Sequence, residues 1–459
     1  MSFTPERLRA ALGSALRHVA PPAQACCLAL SGGLDSTVLL VALVRLREAD
    51  AALRLRAIHV DHGLQADSTA WSCRCLALAA RYGIDCEIVC VDARAGAGES
   101  PEAAARAARY RALGERLGRD EVLLTAHHAD DQLESVLLQG LRGGGLRALA
   151  GMRAATPFAQ GWHVRPLLGF TRAELHEWAL RQGLDWLEDP TNLDERFDRN
   201  YLRLAVLPAL RRRWPAAALT IGRVADQAAE ALELDEEAAA ADLAGVAAGE
   251  TLPLAGLRAF GAPRQRRLLR AWLRARGLPL PSAATLGTLL RDMLVAAPDR
   301  VPESRWPGAV VRRYRDRLYA DRQAPTVPDW AAGAWVPGET FSLGPLGRLE
   351  LCPTIGQGLS RARLGAPLRV VPRLTGAVFR PADSAHRRQL RKWLQERGVL
   401  PWRRALLPLV CVDGEIAAVA DLGCDARFAA SPGEAGWRIV WHGRPALTED
   451  EAVASRSTA

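Results

Sequence analysis

The first 200 or so residues alternate short apolar runs with stretches in which apolar residues recur at helical spacing. Strands that alternate with helices form βαβ units, because two parallel strands need a long crossover connection. The pattern therefore predicts an α/β fold that begins with a doubly wound parallel sheet. The predicted strands are Ala25–Leu30, Leu55–Val60, Cys86–Val91 and Val122–Thr125, and the predicted helices are Ser36–Arg47, Ser68–Tyr82 and Pro101–Leu117.

The rest of the chain predicts a mainly helical region and then a small α+β module. Helical spacing continues from Arg199 with a break at Pro208, because proline cannot donate the helical hydrogen bond. A connecting helix is predicted at Val224–Ala248, a linker at Pro325–Pro337, and a tail without regular structure from Thr448. We predict a first domain over 1–215, a helical domain over 216–325, a C-terminal domain over 326–446 and a tail over 447–459.

Charge and cysteine content narrow the classes of function. The net charge of +9 and the pI near 9.4 favour a polyanionic partner. Lys392 is the only lysine, which excludes a phosphate loop of the lysine-dependent type. Nine cysteines without a CxxC pair argue against a zinc or iron–sulfur site and fit a reducing compartment. Since no signal-like or membrane-length apolar run is present, we expect a cytoplasmic protein that does not bind membranes.

The loop after the first predicted strand has the composition of a phosphate-binding site. Adjacent glycines at 32 and 33 let backbone N–H groups approach a phosphate, and the following helix directs its positive N-terminus at the loop. Asp35 is unsuited to bind an anion directly but is suited to hold a Mg²⁺ ion that accompanies one. An ordinary βα turn with Asp35 or Ser36 as helix cap is the structural alternative.

The same loop resembles the SGGxDS signature of the PP-loop ATP pyrophosphatase superfamily, whose members split ATP into AMP and pyrophosphate. The resemblance implies that ATP is a co-substrate and that Mg²⁺ accompanies it. The residues that it assigns to ATP binding are Ser31, Gly32, Gly33, Leu34, Asp35 and Ser36, with Asp35 also at the metal and in catalysis.

Further motifs, in their order along the chain, resemble those of the tRNA(Ile)-lysidine synthetase family. The resemblance covers nearly the whole chain, and it implies that 1–215 form the PP-loop catalytic domain and that 216–325 and 326–446 bind tRNA. It implies that ATP adenylates C2 of the wobble cytidine in a CAU-anticodon tRNA(Ile), and that free L-lysine then displaces AMP. The motifs are His59–Leu64, Glu102–Tyr110, Ala126–Glu134, Arg142–Arg147, Arg165–Leu168, Glu188–Asn192, Arg199–Arg203, Pro401–Arg403 and Leu407–Leu409.

This chemistry requires a carboxylate to hold the lysine ammonium and a base to remove its proton, because the ε-amine has a pKa near 10.4. Asp131 and Glu134 lie three residues apart at a predicted helix start and are expected to face one pocket. Their D-x-x-E spacing also fits a helix capping box. Arg109, together with Arg106, is expected to stabilise phosphate charge, and His127 to contact a phosphate or position the base.

The tRNA contacts are predicted from basic residues, because phosphate contacts dominate nucleic-acid affinity. A solvated arginine face is the alternative for each of these groups. The predicted contacts are Arg199, Arg203, Arg387, Arg388 and Arg391, with further basic clusters at Arg264–Arg270 and Arg312–Arg317.

Two other functions stay open at this level: a PP-loop tRNA thiolase, and a tRNA-binding protein with an inactive nucleotide site. A thiolase needs a catalytic cysteine pair or a cluster-binding CxxC motif, and neither is evident. The intact loop together with Asp131 and Glu134 argues against an inactive site. A homodimer is a further expectation from the resemblance.

Overall fold

The computed structural model describes residues 2–17, 19, 25–49, 53–63, 68–92, 94, 101–189, 191, 194–297, 300–322, 330–364, 367–372 and 376–454. The chain forms two compact units, residues 1–235 and residues 236–459. The predicted boundaries of three domains and a tail stay a prediction.

The first unit contains a six-stranded sheet in the order β3-β2-β1-β4-β6-β5. The neighbours β3/β2, β2/β1, β1/β4 and β4/β6 are parallel, and only the β6/β5 hairpin is antiparallel. The four predicted strands are confirmed to within one residue, whereas β5 and β6 were not predicted. The strands are β1 (Ala25–Ala29), β2 (Arg54–Asp61), β3 (Cys86–Cys90), β4 (Glu121–Leu124), β5 (Ala155–Phe158) and β6 (Gly161–Val164).

Two apolar cores lie on opposite faces of this sheet, as expected for a doubly wound fold. Side chains alternate along β1, so Cys26 and Leu28 enter the larger core while Cys27 enters the smaller one. The three predicted helices are confirmed to within two residues. The helices of this part of the chain are α1 (Pro5–Leu16), α2 (Leu34–Ala49), α3 (Ser68–Arg81), α4 (Pro101–Arg116), α5 (Ala129–Leu141), α6 (Gly145–Leu149), α7 (Arg172–Arg181), α8 (Asp198–Tyr201), α9 (Leu207–Arg213) and α10 (Ala217–Val246).

Helices α8 and α9 are joined by a π-helical turn at Leu202–Val206. Pro208 lies in the first turn of α9, which confirms the predicted break in the regular helix. Proline has no N–H to donate to the preceding turn, and this loosens the hydrogen-bond ladder there. Leu207 is fully buried against Leu133 of α5, so this irregular segment lies firmly beside α5.

The second unit combines a helical part with antiparallel sheets in the orders β7-β10-β9-β8, β11-β15-β18-β19-β20 and β12-β13-β21-β14. One apolar core joins the helices between residues 254 and 295 to the sheet β7-β10-β9-β8, and a separate core lies among the other two sheets. The helices are α11 (Leu254–Arg258), α12 (Ala262–Ala275), α13 (Ala283–Val295), α14 (Leu390–Glu396) and α15 (Glu449–Ala454), and the strands are β7 (Leu252–Pro253), β8 (Glu303–Trp306), β9 (Ala309–Tyr314), β10 (Arg317–Arg322), β11 (Gly333–Trp335), β12 (Phe341–Ser342), β13 (Arg348–Ile355), β14 (Leu359–Ser360), β15 (Leu368–Val371), β16 (Val378–Phe379), β17 (Arg388–Gln389), β18 (Leu409–Val412), β19 (Glu415–Val419), β20 (Gly423–Cys424) and β21 (Ala435–His442).

Two predictions for this unit are wrong. Within the predicted linker, Gly333–Trp335 is a sheet strand and Trp335 is buried in the core, while 325–329 lie outside the described residues. The predicted tail contains the helix Glu449–Ala454, which buries Ala452, and 455–459 lie outside the described residues. In the part of the chain that the structure describes, none of the helices is long and apolar enough to cross a bilayer.

Candidate active site

A cavity of about 840 Å³ opens at the carboxyl ends of β1, β2 and β4. The chain runs from β1 to β2 in one direction across the sheet, whereas β4 lies on the other side of β1. In open α/β sheets this reversal of strand order leaves a crevice that binds ligands. The phosphate loop lines the cavity with Ser31, Gly33, Leu34, Asp35 and Ser36.

Gly32 packs the phosphate loop closely against Leu187 and Cys75. Its φ is +77°, a left-handed conformation that favours glycine. A Cβ atom at this position would lie 2.8 Å from Leu187 Cδ1 and 2.9 Å from Cys75 Sγ. The Gly32 carbonyl also accepts the N–H of Leu187 at 2.9 Å. The fold itself therefore requires glycine here.

The hydroxyls of the loop form a small network at the start of α2. Ser36 Oγ donates to the Gly33 carbonyl at 3.0 Å and lies 3.0 Å from Ser31 Oγ. Because α2 begins at Leu34, its free N–H groups face the same region. The loop thus combines hydroxyl and backbone donors where an anion would bind.

Asp35 has the environment expected of a cation ligand. Its Oδ2 atom lies 3.6 Å from His128 Nε2, while Oδ1 is buried and has no hydrogen-bond partner. An unpartnered carboxylate oxygen beside a phosphate loop suits Mg²⁺, which is commonly held by one carboxylate together with substrate phosphates. Among the described residues no group of three or more candidate metal ligands is present.

Asp131 and Glu134 meet Arg199 and Arg203 in what we call the buried ion cluster. Glu134 accepts from both Arg199 Nε and Arg203 Nε at 2.8 Å, and Asp131 accepts from Arg199 Nη2 at 3.1 Å. The side chain of Glu134 is only 1% exposed. Two carboxylates and two guanidiniums balance in charge. Arg203 also lines the cavity, which brings the cluster next to the phosphate loop.

The two arginines were predicted to bind tRNA phosphates, but the structure places both guanidiniums against carboxylates. Their tRNA role stays a prediction, and it would require them to leave these partners. Burial by itself would raise the pKa of Asp131, but the charges of His128 and Arg199 outweigh it and hold that pKa below its usual value.

His128, not Asp131, caps the N-terminus of helix α5. The His128 imidazole accepts the N–H of Asp131, and the Asp131 carboxylate accepts the N–H of His128. The interpretation of Asp131 and Glu134 as a capping pair is therefore wrong, because the cap lies three residues earlier. Burial opposes protonation of His128, yet the charges of Asp131 and Asp35 outweigh it and raise its pKa. His128 thus joins the ion cluster to Asp35.

His127 lines the cavity and belongs to a second polar chain. Its Nδ1 atom lies 2.7 Å from Thr125 Oγ1, which lies 2.7 Å from His163 Nε2. Arg165 Nη2 lies 2.9 Å from His163 Nδ1. Sequence reasoning missed Thr125 and His163. The available signal was the alternation of apolar Trp162 and Val164 with His163 between them, which is typical of a strand that carries His163 on its other face.

Arg106 and Arg109 line the cavity from α4, as the prediction requires. The Arg106 guanidinium lies over the Tyr110 ring at 4.9 Å from its centroid, which holds it in place. His59 also lines the cavity, and its Nδ1 atom contacts the Leu30 carbonyl at 2.8 Å.

Three parts of the chain match known domain families. Residues 6–210 match the PP-loop domain family, 252–319 the TilS substrate-binding domain and 368–441 the TilS substrate C-terminal domain. The chain is 41% identical over 424 residues to the tRNA(Ile)-lysidine synthase of Methylococcus capsulatus, covering 90% of this chain and 95% of that protein. It is 42% identical over 429 residues to that of Alkalilimnicola ehrlichii, covering 92% and 95%.

The chain belongs to the tRNA(Ile)-lysidine synthase family. It is therefore an ATP-using enzyme of the ligase type with a PP-loop domain. The predicted family and fold class are confirmed, and the site residues named above stay predictions.

In this member of the tRNA(Ile)-lysidine synthase family, the basic clusters of the second unit differ in accessibility. Arg313 is only 2% exposed and donates to the Met293, Ala296 and Arg315 carbonyls, so this residue is structural. Arg387 and Arg388 are exposed, with Glu415 and Glu396 as respective ion-pair partners. Arg391 is also exposed, and these three side chains remain accessible to a phosphate backbone.

Proposed function

We propose that this enzyme ligates free L-lysine to C2 of the wobble cytidine, position 34, of a CAU-anticodon tRNA(Ile). The C2 oxygen attacks the α-phosphorus of ATP and pyrophosphate leaves. The lysine ε-amine then attacks C2, loses a proton, and AMP leaves with the oxygen. The product lysidine pairs with A, so the codon specificity changes from AUG to AUA. The juxtaposition of the phosphate loop and the buried ion cluster at one cavity carries this proposal.

The phosphate loop and the α4 arginines would bind ATP. Backbone donors at the start of α2 and the hydroxyls of Ser31 and Ser36 suit the phosphates. Arg106 and Arg109 supply permanent positive charge where pyrophosphate and AMP accumulate negative charge. Mg²⁺, when held by Asp35, would supply charge neutralisation of the phosphates.

The buried ion cluster would bind the lysine side chain. Asp131 is linked to Asp35 of the loop through His128, whose Nε2 atom lies 3.6 Å from Asp35 Oδ2 and 3.4 Å from Asp131 Oδ2. Asp131 and Glu134 lie behind Arg203 rather than on the cavity wall, and both are neutralised by arginine in the structure. An ammonium can bind there only if a guanidinium leaves its carboxylate. Breaking a buried pair costs about 3–5 kcal/mol, so an incoming ammonium must replace that interaction. We infer that Arg199 or Arg203 moves away on binding, which frees it to contact the tRNA.

The two alternative functions are less well supported. Burial raises the pKa of Cys26 and Cys27 to about 12 each, so neither is a ready thiolate. An inactive nucleotide site fits poorly with an unpartnered Asp35 oxygen and the free donors at the start of α2.

Pyrophosphate release with single-component omission tests the proposal. We expect the release of pyrophosphate to require ATP and tRNA. The formation of the modified tRNA, with release of AMP, should require lysine as well. Turnover that depends on a sulfur donor instead of lysine would favour a thiolase, and no turnover would favour a binding protein. We further propose a cytoplasmic enzyme that forms a homodimer, which size-exclusion chromatography with light scattering would test.

A further inference from the structure

Four side chains form a hydrogen-bonded chain beneath the cavity: His127, Thr125, His163 and Arg165. The chain runs between two neighbouring parallel strands, because Thr125 follows β4 and His163 lies on β6. The backbone locks this contact, since the Thr125 N–H donates to the Val164 carbonyl at 3.1 Å. Arg165 is anchored at its far end, where Nη1 donates to the Arg153 carbonyl at 2.8 Å.

The direction of every proton in this chain follows from its last member. A guanidinium has only donors, so Arg165 must donate to His163 Nδ1. A neutral His163 that accepts at Nδ1 carries its proton on Nε2, and it donates that proton to Thr125 Oγ1. The Thr125 hydroxyl has one proton to donate, and among the described residues its contacts are His163 Nε2, which already donates, and His127 Nδ1, so the proton goes to His127 Nδ1. His127 therefore accepts at Nδ1, and its own proton lies on Nε2.

We propose that Arg165, acting through His163 and Thr125, holds His127 as the neutral Nε2–H tautomer. In this state His127 donates a hydrogen bond to an oxygen of the bound nucleotide and does not act as a base. Arg165, His163 and Thr125 are positioning residues, and His127 is the residue that contacts the substrate. The identity of the acceptor rests on the proposed function, whereas the tautomer does not.

The surroundings of both imidazoles support their neutral form. Burial lowers the pKa of His163 to about 2, and the charge of Arg165 acts in the same direction. Burial likewise lowers the pKa of His127 to about 4, against an opposing effect of Asp131 and with help from Arg165 and Arg106. His127 Nε2 has no hydrogen-bond partner among the residues that the structure describes, and the side chain lines the cavity.

In this arrangement His127 stabilises charge and other residues accept the proton. A neutral N–H donor stabilises charge on a phosphate oxygen without delivering a proton to it. Removal of the lysine proton then falls to the carboxylates of the buried ion cluster. A base role for His127 is excluded at Nδ1, which is occupied, and at Nε2, which is protonated.

The direct experiment is nitrogen NMR of the full-length enzyme labelled with ¹⁵N-histidine, with His127→Gln to assign the signal. Neutral imidazole with its proton on Nε2 differs clearly in its two nitrogen shifts from the other tautomer and from imidazolium. We expect the Nε2–H tautomer at neutral pH in the free enzyme. An Nδ1–H tautomer or an imidazolium would overturn the proposal, whatever reaction the enzyme catalyses.

Substitutions at Thr125 then test the link. Thr125→Val removes the relay hydroxyl, should mix the His127 tautomers, and should lower kcat by about 10-fold, the change that follows from losing about 1.4 kcal/mol of transition-state stabilisation. Thr125→Ser should restore both the tautomer and turnover. Thr156→Val is the matched control, because Thr156 has only a 3.4 Å contact with Arg165 Nη1. A Thr125→Val enzyme with unchanged tautomer and kcat would refute the relay. If that variant fails to fold, the wild-type spectrum decides.

Discussion

Replacing Glu134 by glutamine tests the buried ion cluster quantitatively. Glutamine keeps the shape of the side chain but removes its charge. In the structure Glu134 Oε2 accepts from Arg199 Nε at 2.8 Å and from Arg203 Nη2 at 3.0 Å, while Oε1 accepts from Arg203 Nε at 2.8 Å. A glutamine carbonyl can replace only one of these oxygens, so its NH₂ group would face an arginine donor.

The expected cost follows from these contacts. With the carbonyl in the Oε2 position, two hydrogen bonds remain and one charge-assisted bond, worth about 1.5–3 kcal/mol, is lost. The cluster also gains a net charge of +1 around a side chain that is 1% exposed. Removing one partner of a buried ion pair costs about 3–5 kcal/mol in total. We therefore expect the free energy of unfolding of the first unit to fall by about 3–5 kcal/mol.

Urea unfolding followed by circular dichroism, with the full-length enzyme, measures this change. The matched control is Glu177→Gln, because Glu177 and Arg181 form an exposed pair at 3.9 Å. Exposed pairs contribute about 0–1 kcal/mol, so this control should unfold like the wild type. The double variant Glu134→Gln with Arg203→Gln should be less destabilised than the sum of the two single variants.

A Glu134→Gln enzyme within 1 kcal/mol of the Glu177→Gln control would refute this reasoning. It would mean that solvent reaches the cluster and screens the charges. The assignment of Asp131 and Glu134 as a desolvated lysine site would then lose its physical basis.

Three further predictions concern the metal ligand, the tRNA surface and the effect of acid. Asp35→Ala should abolish pyrophosphate release while tRNA affinity in filter binding stays near wild type, and lost tRNA affinity would make Asp35 structural. Replacing Arg387, Arg388 and Arg391 with glutamine should weaken tRNA binding. It should also reduce the slope of log affinity against log salt by about 2–3, because each phosphate contact contributes about 0.7–0.9 to that slope. An unchanged slope would mean that these residues do not contact the tRNA. The pKa of His163 is lowered to about 2 in the folded protein, so below about pH 6.5 only the unfolded state binds a proton at this residue. The free energy of unfolding should therefore fall by up to about 1.4 kcal/mol for each pH unit below about 6.5. His163→Gln should flatten the loss of stability between pH 6.5 and pH 4 in urea unfolding, and an equally steep loss would contradict this.

The parallel sheet and its phosphate loop were predictable because they depend on local patterns. Apolar runs of strand length and the glycines before α2 are properties of short segments, and the loop residues lie where predicted. By contrast, β5 and β6 were missed, because Ala155–Phe158 is only partly buried and has little strand-like alternation. His163 consequently had no predicted position next to Thr125.

The pairing of charges could not be predicted, since the partners are far apart in sequence. Arg199 and Glu134 are separated by 65 residues and meet only because α8 lies beside α5. The sequence does not distinguish an exposed arginine, such as Arg391, from a buried one, such as Arg313. The helix at Glu449–Ala454 was missed for a related reason, because its burial of Ala452 depends on tertiary contacts.

The identity of the nucleoside at the wobble position tests the central claim most directly. Unmodified CAU-anticodon tRNA(Ile) would be incubated with the enzyme, ATP, Mg²⁺ and isotopically labelled L-lysine, then digested and analysed by mass spectrometry. We expect cytidine 34 to gain one lysine with loss of one water, and the label to appear in that nucleoside only. An unmodified cytidine after turnover of ATP, or a sulfur-containing nucleoside in its place, would contradict the proposed function.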